Sequence, residues 1–195
     1  MPTNLQLAYA PKKTDPEKIV RAVLRRKPIR MVESDIEEMI LHHNFYLKKL
    51  NEKGGFLNNF SDSGDGTVTD HSTGLMWERG GSSSKRNQYA VENYIADLND
   101  DKLAGHDDWR LPTLEELCSL MTKEHEKTAM YLNPLFDNSK KTCWSADSNT
   151  NEEMENAYYV DFSDGVIVLG YGRNDSSRYE IVEAINFVKA VRSIK

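Results

Sequence analysis

The sequence has few cysteines and no long apolar run, and both absences exclude classes of protein. Only two of its 195 residues are cysteine, so a mini-protein held together by several disulfides is excluded. No stretch approaches the roughly 18 consecutive apolar residues that cross a bilayer. The first residues lack a basic start followed by an apolar core, so no secretory signal is indicated. These absences predict a cytoplasmic protein with no membrane partner.

The chain also lacks an excess of basic residues, although its charge is unevenly distributed. Lys and Arg number 25 against 31 Asp and Glu, which gives a net charge of −6. Residues 1–55 carry 11 basic and 7 acidic groups, whereas residues 56–195 carry 14 and 24. The acidic majority excludes nucleic acid as the expected partner. The basic N-terminal excess fits either a solvated helix face or a small patch that reads an anion.

Two amphipathic helices are predicted in the first part of the chain. Capping boxes begin both of them, one from Thr14 to Glu17 and the other from Ser34 to Glu37. The first helix ends at Lys27, because the residue before a proline is forced out of the helical region. Two short helices cannot bury their apolar stripes alone, so they pack on the following domain or on another chain. The prediction is a helical appendage over 1–55 and a domain over 56–195, with the oligomeric state open.

The second part of the chain mixes short strands with two further helices. A hairpin is predicted over 66–78, and a helix over 87–99. Thr113 with Glu116 forms a capping box that begins the second helix. This pattern, with long polar loops, indicates an α+β domain. Later strands are predicted over 143–146, 157–162, 166–169 and 185–191.

An ordered set of motifs in this domain resembles the Lcl C-terminal domain family, which is named for a domain of the Legionella collagen-like adhesin. The most specific motif is Asp-Trp-Arg-Leu-Pro-Thr at 108–113. Asp-Gly-Thr-Val-Thr-Asp at 65–70 and Thr-Gly-Leu-Met-Trp at 73–77 precede it, and Tyr-Val-Asp-Phe at 159–162 follows. The resemblance spans about 56–193. It implies a C-type-lectin-like fold, related also to the formylglycine-generating enzyme, with a loop-rich ligand surface.

The resemblance implies binding rather than catalysis. Known members are mostly binding modules, and the adhesin domain binds sulfated polysaccharides. We therefore expect a noncatalytic ligand-binding or protein-interaction module whose partner is a protein or a glycan. A glycan-binding adhesin-type domain is one alternative, and an enzyme of the formylglycine-generating type is another. No Ser-His-Asp order, Gly-rich phosphate loop or Cys/His metal spacing occurs in the sequence, so no catalytic residue and no cofactor is expected.

Candidate ligand-binding residues lie in and beside the late loops. Segments 148–151 and 171–179 mix Tyr, Asn, Ser, Gly and Arg, a composition that suits an adaptable binding surface and equally an ordinary solvated loop. Neighbouring aromatic residues add stacking surface, although strand alternation turns either Tyr158 or Tyr159 to the core. The candidate set is Trp144, Asn149, Asn151, Tyr158, Tyr171, Arg173, Asn174 and Arg178.

Three aspartates allow a calcium site as the weaker of two interpretations. Asp62, Asp65 and Asp70 offer oxygen ligands, but their spacing is not that of an EF-hand loop. A tight hairpin with its flanking turns requires the same residue types. The turn interpretation is therefore preferred, and calcium is retained as an alternative.

The remaining assignments concern the scaffold and the two thiols. Trp77, Trp109, Arg110 and Pro112 are predicted to be structural. A buried Arg110 is expected to pair with Asp107 or Asp108, since a charge-assisted hydrogen bond would fix that turn. Cys118 is expected in the core beside leucines of its helix. Cys143 follows Lys141 closely, and a nearby cation lowers the pKa of a thiol.

Overall fold

The architecture is mixed helix and sheet, and the computed structural model describes residues 22–125, 128–149, 156–170 and 184–194. The described residues form three α-helices, which are α1 (Glu33–His42), α2 (Tyr89–Asp100) and α3 (Leu114–Ser119). The first strands are β1 (Phe60–Asp62), β2 (Thr67–Asp70), β3 (Leu75–Glu78), β4 (Met121–His125) and β5 (Met130–Leu132). The later strands are β6 (Thr142–Ser148), β7 (Ala157–Asp161), β8 (Val166–Gly170) and β9 (Val191–Ser193).

The described strands pair antiparallel in three small sheets. Their orders are β1-β2-β3-β9, β4-β5 and β6-β7-β8. In the first sheet Trp77 of β3 lies opposite Val68 of β2 on one side and Val191 of β9 on the other. The C-terminal strand β9 therefore pairs with the second strand of the hairpin. The predicted α+β class is confirmed. None of the described helices has the length and apolar character needed to cross a bilayer.

The predicted hairpin is confirmed, and Asp70 organises its turn. Gly74 has a positive φ of 67° and donates its N–H to the Asp70 carbonyl at 2.9 Å. The buried Asp70 carboxylate accepts bonds from the Ser72 N–H and the Thr73 hydroxyl, at 3.0 and 2.8 Å. It also accepts from the Asn59 N–H, which ties the preceding loop to the turn. An aspartate that bonds its own turn in this way is what the sequence pattern favours.

Both helices predicted for the second part of the chain are present. The predicted capping box of α3 is confirmed: Thr113 Oγ1 accepts from the Glu116 N–H at 3.2 Å, and Glu116 Oε2 accepts from the Thr113 N–H at 2.9 Å. α2 begins two residues later than predicted and ends one residue later. The last predicted strand, 185–191, is wrong in position, since β9 begins only at Val191 and isolated bridges hold Asn186 and Phe187.

The N-terminal segment departs further from prediction. Thr14 and Glu17 lie outside the described residues, and the prediction that their helix reaches Lys27 is wrong, because residues 22–27 contain no helix. Tertiary bonds hold this stretch: the Arg25 N–H donates to Glu115 at 2.9 Å, and its guanidinium donates twice to Asp147 at 2.8 Å. The predicted capping box from Ser34 to Glu37 is also wrong. The N-cap residue of α1 is Val32, and its N–H donates to the Asp35 carboxylate at 2.9 Å.

One large buried cluster joins the N-terminal segment to the sheets. Ile36, Met39 and Ile40 of α1 belong to the same cluster as Trp77 and Leu117. This packing matches the expectation that the apolar stripe of the second helix is covered by the following domain. The division at residue 55 stays a prediction.

Candidate functional site

A groove lies between one face of α2 and a wall formed by the irregular segment 110–111 and strand β6. Its volume is about 540 Å³. The helix side is formed by residues spaced three or four apart, which places them on one face. These are Gln88, Val91, Glu92, Ile95, Ala96 and Asn99. The opposite wall is formed by Arg110, Leu111, Trp144, Ser145 and Ala146.

Trp144 forms the floor of this groove. Its side chain is 1% exposed, and its Nε1–H donates to the Arg86 carbonyl at 2.8 Å. Its ring meets Tyr159 edge to face with centroids 5.6 Å apart. A buried indole with its polar atom satisfied is rigid, so the floor is pre-formed. The sequence placed Trp144 among the ligand candidates, and the structure places it below the groove rather than on a loop tip.

Arg110 lies on the groove wall, and its predicted partner is wrong. The guanidinium bonds to both oxygens of Glu116, at 2.6 and 2.7 Å, and contacts neither Asp107 nor Asp108. Glu116 is fully buried and already receives the Thr113 N–H, so an adjacent cation compensates its charge. Asp108 pairs instead with Arg192, whose Nε lies 2.5 Å from Oδ1, and this bond lowers the pKa of Asp108.

The other predicted scaffold residues are buried. Trp77 is fully buried in β3. Trp109 is 2% exposed and donates its Nε1–H to the Leu103 carbonyl at 3.1 Å. Pro112 is buried, and its carbonyl accepts the Ala146 N–H at 2.8 Å. The Asp-Trp-Arg-Leu-Pro-Thr motif thus connects α2, α3 and β6 at one end of the groove.

Two of the remaining ligand candidates, Tyr158 and Asn149, do not line the groove. Tyr158 is 7% exposed and its hydroxyl donates to the Met31 carbonyl at 3.0 Å, on the opposite sheet face from Tyr159. Asn149 donates its N–H to the Asn156 carbonyl at 3.1 Å, beyond the end of β6. The other five candidates lie outside the described residues and stay predictions: Asn151, Tyr171, Arg173, Asn174 and Arg178.

The three candidate metal aspartates each bond to their own turns. Asp62 accepts the Gly64 N–H at 2.9 Å and the Arg79 guanidinium at 2.8 Å, and these contacts lower its pKa. Asp65 accepts both the N–H and the hydroxyl of Thr67. Asp70 organises the hairpin turn, as described above. Within the described ranges no group of three or more His, Cys, Asp or Glu is placed to hold a metal.

Both thiols are buried and free. Burial raises the pKa of Cys143 to about 11, although the nearby ammonium groups of Lys189 and Lys140 act to lower it. The expected net lowering of the Cys143 pKa is therefore wrong, because the loss of solvation outweighs the attraction of the ammonium groups. Cys118 lies in the core as predicted, and burial raises its pKa as well.

A basic surface that sequence reasoning missed surrounds a single aromatic ring. The ammonium groups of Lys85 and Lys140 lie 5.9 and 4.8 Å from the ring centroid of Phe187, within cation–π range. We call these three residues the Phe187 patch. They are far apart in sequence, and the only available signal was the two adjacent basic pairs, Lys85-Arg86 and Lys140-Lys141.

The comparisons with known proteins agree with the motif analysis. A model of the Lcl C-terminal domain matches residues 66–183, which is more than half of the chain. The chain therefore belongs to the Lcl C-terminal domain family. No curated protein and no solved structure matches it.

Proposed function

We propose that this chain is a noncatalytic binding module that takes its ligand in the groove between α2 and β6. The observation that carries the proposal is the cavity of about 540 Å³ with an apolar lining and a few polar side chains. Ligand sites have this size and composition. The fixed Trp144 floor supports the proposal, because a pre-formed surface binds without an ordering cost.

The finer fold assignment is part of the same proposal. We propose a C-type-lectin-like domain, which the family resemblance implies. The short helices α2 and α3 beside three small antiparallel sheets are compatible with it. In this interpretation the groove is formed between a helix of the scaffold and the first strand of the β6-β7-β8 sheet.

The state of the thiols supports a binding role over an enzyme of the formylglycine-generating type. A catalytic cysteine acts as a thiolate in a partly exposed, electropositive environment. Both cysteines of this chain are instead fully buried with raised pKa values. Calcium is likewise no part of the proposal, since the candidate aspartates are engaged by their own turns.

A blocked-groove variant tests the proposal. Ala96 is an exposed groove residue, so Ala96→Trp places an indole in the cavity while leaving the core unchanged. Asn93→Trp adds the same side chain on the exposed opposite side of α2 and is the matched control. On arrays of immobilised peptides and glycans, Ala96→Trp should lose the ligands that wild type and Asn93→Trp retain. Retention of every ligand by Ala96→Trp would remove the groove from the proposal.

Binding of an anionic glycan is a second candidate function, favoured by the Phe187 patch. The exposed ammonium group of Lys85 offers charge to a sulfated sugar, beside Lys140, which already pairs with Asp137 at 3.8 Å. Replacing Lys85 and Lys140 with alanine should abolish retention on a sulfated-polysaccharide column. Unchanged retention would exclude the patch as a glycan site.

A further inference from the structure

We propose that the groove between α2 and β6 binds an extended peptide segment that is both basic and apolar. The inference rests on the proposed function and deepens it by naming the chemistry of the partner. Three features of the groove lead to it: its length, its floor and its charge.

The length of the groove fits a short stretch of extended chain. Its helix side runs from Gln88, which immediately precedes α2, to Asn99, eleven residues later. At about 1.5 Å per residue this face is about 16 Å long. An extended peptide advances about 3.3 Å per residue, so about five residues would span it.

The floor favours alternate apolar side chains. The accessible apolar surface of the groove comes from Ile95, Leu111 and Ala146, which are half-buried, and from the exposed Ala96, and the buried Val91 and Trp144 support it from beneath. An extended chain turns every second side chain to the same side. A peptide with apolar residues at alternate positions would therefore place two or three of them on this floor and point the others towards the rim.

The charges at the rim select a basic peptide. Arg110 is compensated by its two bonds to Glu116. Glu92 is exposed, and it is the one charged groove residue for which the described part of the chain shows no ion pair. α2 has no Lys, Arg or His over its whole length, so no basic side chain of this helix opposes the field of Glu92 at the rim. Lysine or arginine at the outward positions would complement this field.

Three labelled pentapeptides test the inference by fluorescence anisotropy on the full chain. Leucine occupies alternate positions in each, and the intervening positions are lysine, serine or glutamate. At low salt the lysine peptide should bind about tenfold more tightly than the glutamate peptide, with the serine peptide between them. Ala96→Trp should abolish binding of the lysine peptide, and Asn93→Trp should not.

A matched pair of charge reversals locates the effect. Glu92→Lys should weaken the lysine peptide about fivefold, whereas Asp97→Lys, which makes the same change on the far side of α2, should weaken it less than about twofold. Circular dichroism should show both variants folded, since each position is exposed.

The outcomes separate the inference from the function on which it rests. Equal binding of all three peptides, lost in Ala96→Trp, would overturn the basic partner and leave the groove as the site. Equal losses in Glu92→Lys and Asp97→Lys would overturn the specific role of the rim. If no peptide binds, and wild type and Ala96→Trp bind a sulfated polysaccharide equally, the groove is not the ligand site. That result would overturn both the inference and the proposed function of the groove.

Discussion

The α2–β6 groove and the Phe187 patch are built on opposite physical principles. The groove is concave, has a tryptophan floor and carries one exposed, unpaired carboxylate among its described residues. The Phe187 patch is two lysines beside one half-buried ring. The first surface offers apolar area to bury, and the second offers charge.

Because the groove buries apolar area and the Phe187 patch presents charge, the two surfaces would discriminate between ligands in different ways. Burial of apolar area provides affinity that depends weakly on salt, and a rim charge then selects the partner. Charge on an open surface provides attraction that is screened within about 8 Å at physiological ionic strength. A module with both surfaces can engage two ligand chemistries, which the following experiments separate.

The largest expected effect is the loss of stability when the aromatic residue of each surface is replaced by alanine. Trp144→Ala should lower the free energy of unfolding by about 3–5 kcal/mol, because it empties a fully packed site. Phe187→Ala should cost about 1–2 kcal/mol, because that ring is half-buried and part of its area already meets solvent. Urea denaturation followed by tryptophan fluorescence and circular dichroism measures both. Equal costs would mean that the groove floor is not part of the core.

The next effect concerns the wall of the groove. Glu116→Gln keeps the shape of the side chain but removes the charge that faces Arg110, so stability should fall by about 1–2 kcal/mol. Asp108→Asn breaks the more exposed pair with Arg192 and should cost about 0.5 kcal/mol. Thermal melts report both changes. A larger loss in Asp108→Asn would show that the second ion pair holds the motif in place.

Salt should distinguish the two surfaces more finely. Raising the salt from about 0.05 to 0.5 M should weaken sulfated-polysaccharide binding more than about tenfold, and binding of the leucine–lysine peptide only a few-fold. Titrations of both probes at each salt concentration provide the comparison. The same salt dependence for both probes would mean that apolar burial contributes little in the groove.

The last prediction is that the two cysteine thiols of the native chain do not react with a disulfide reagent. The raised pKa of Cys143, about 11, leaves only about one part in a thousand as thiolate at a pH of about 8. A disulfide reagent should therefore label neither cysteine of the native chain at that pH, and both after denaturation. Rapid native labelling would reopen the enzymatic alternative.

The sequence predicted most of the local structure of the second part of the chain. The hairpin, α2 and the Thr113–Glu116 capping box follow from short-range rules, and the structure contains them. The same rules failed where tertiary contacts decide the conformation. Arg25 lies in a helical pattern, yet Asp147, 122 residues away, holds it in an irregular segment.

The candidate site was only partly predictable for the same reason. Trp144 was identified because it is aromatic, but its role as a floor depends on the distant carbonyl of Arg86 and on α2. The partner of Arg110 was not predictable from nearby residues, because it is the carboxylate of Glu116, which α3 buries. The Phe187 patch joins three segments that share no local motif, so only the folded chain brings it together.

The most direct test of the groove is nuclear magnetic resonance mapping of the leucine–lysine peptide on the folded chain. The account predicts that the backbone amide shifts concentrate at Val91, Ile95, Ala96 and Ala146, with little change at Phe187. Shifts that concentrate around Phe187, with the α2 amides unchanged, would contradict it.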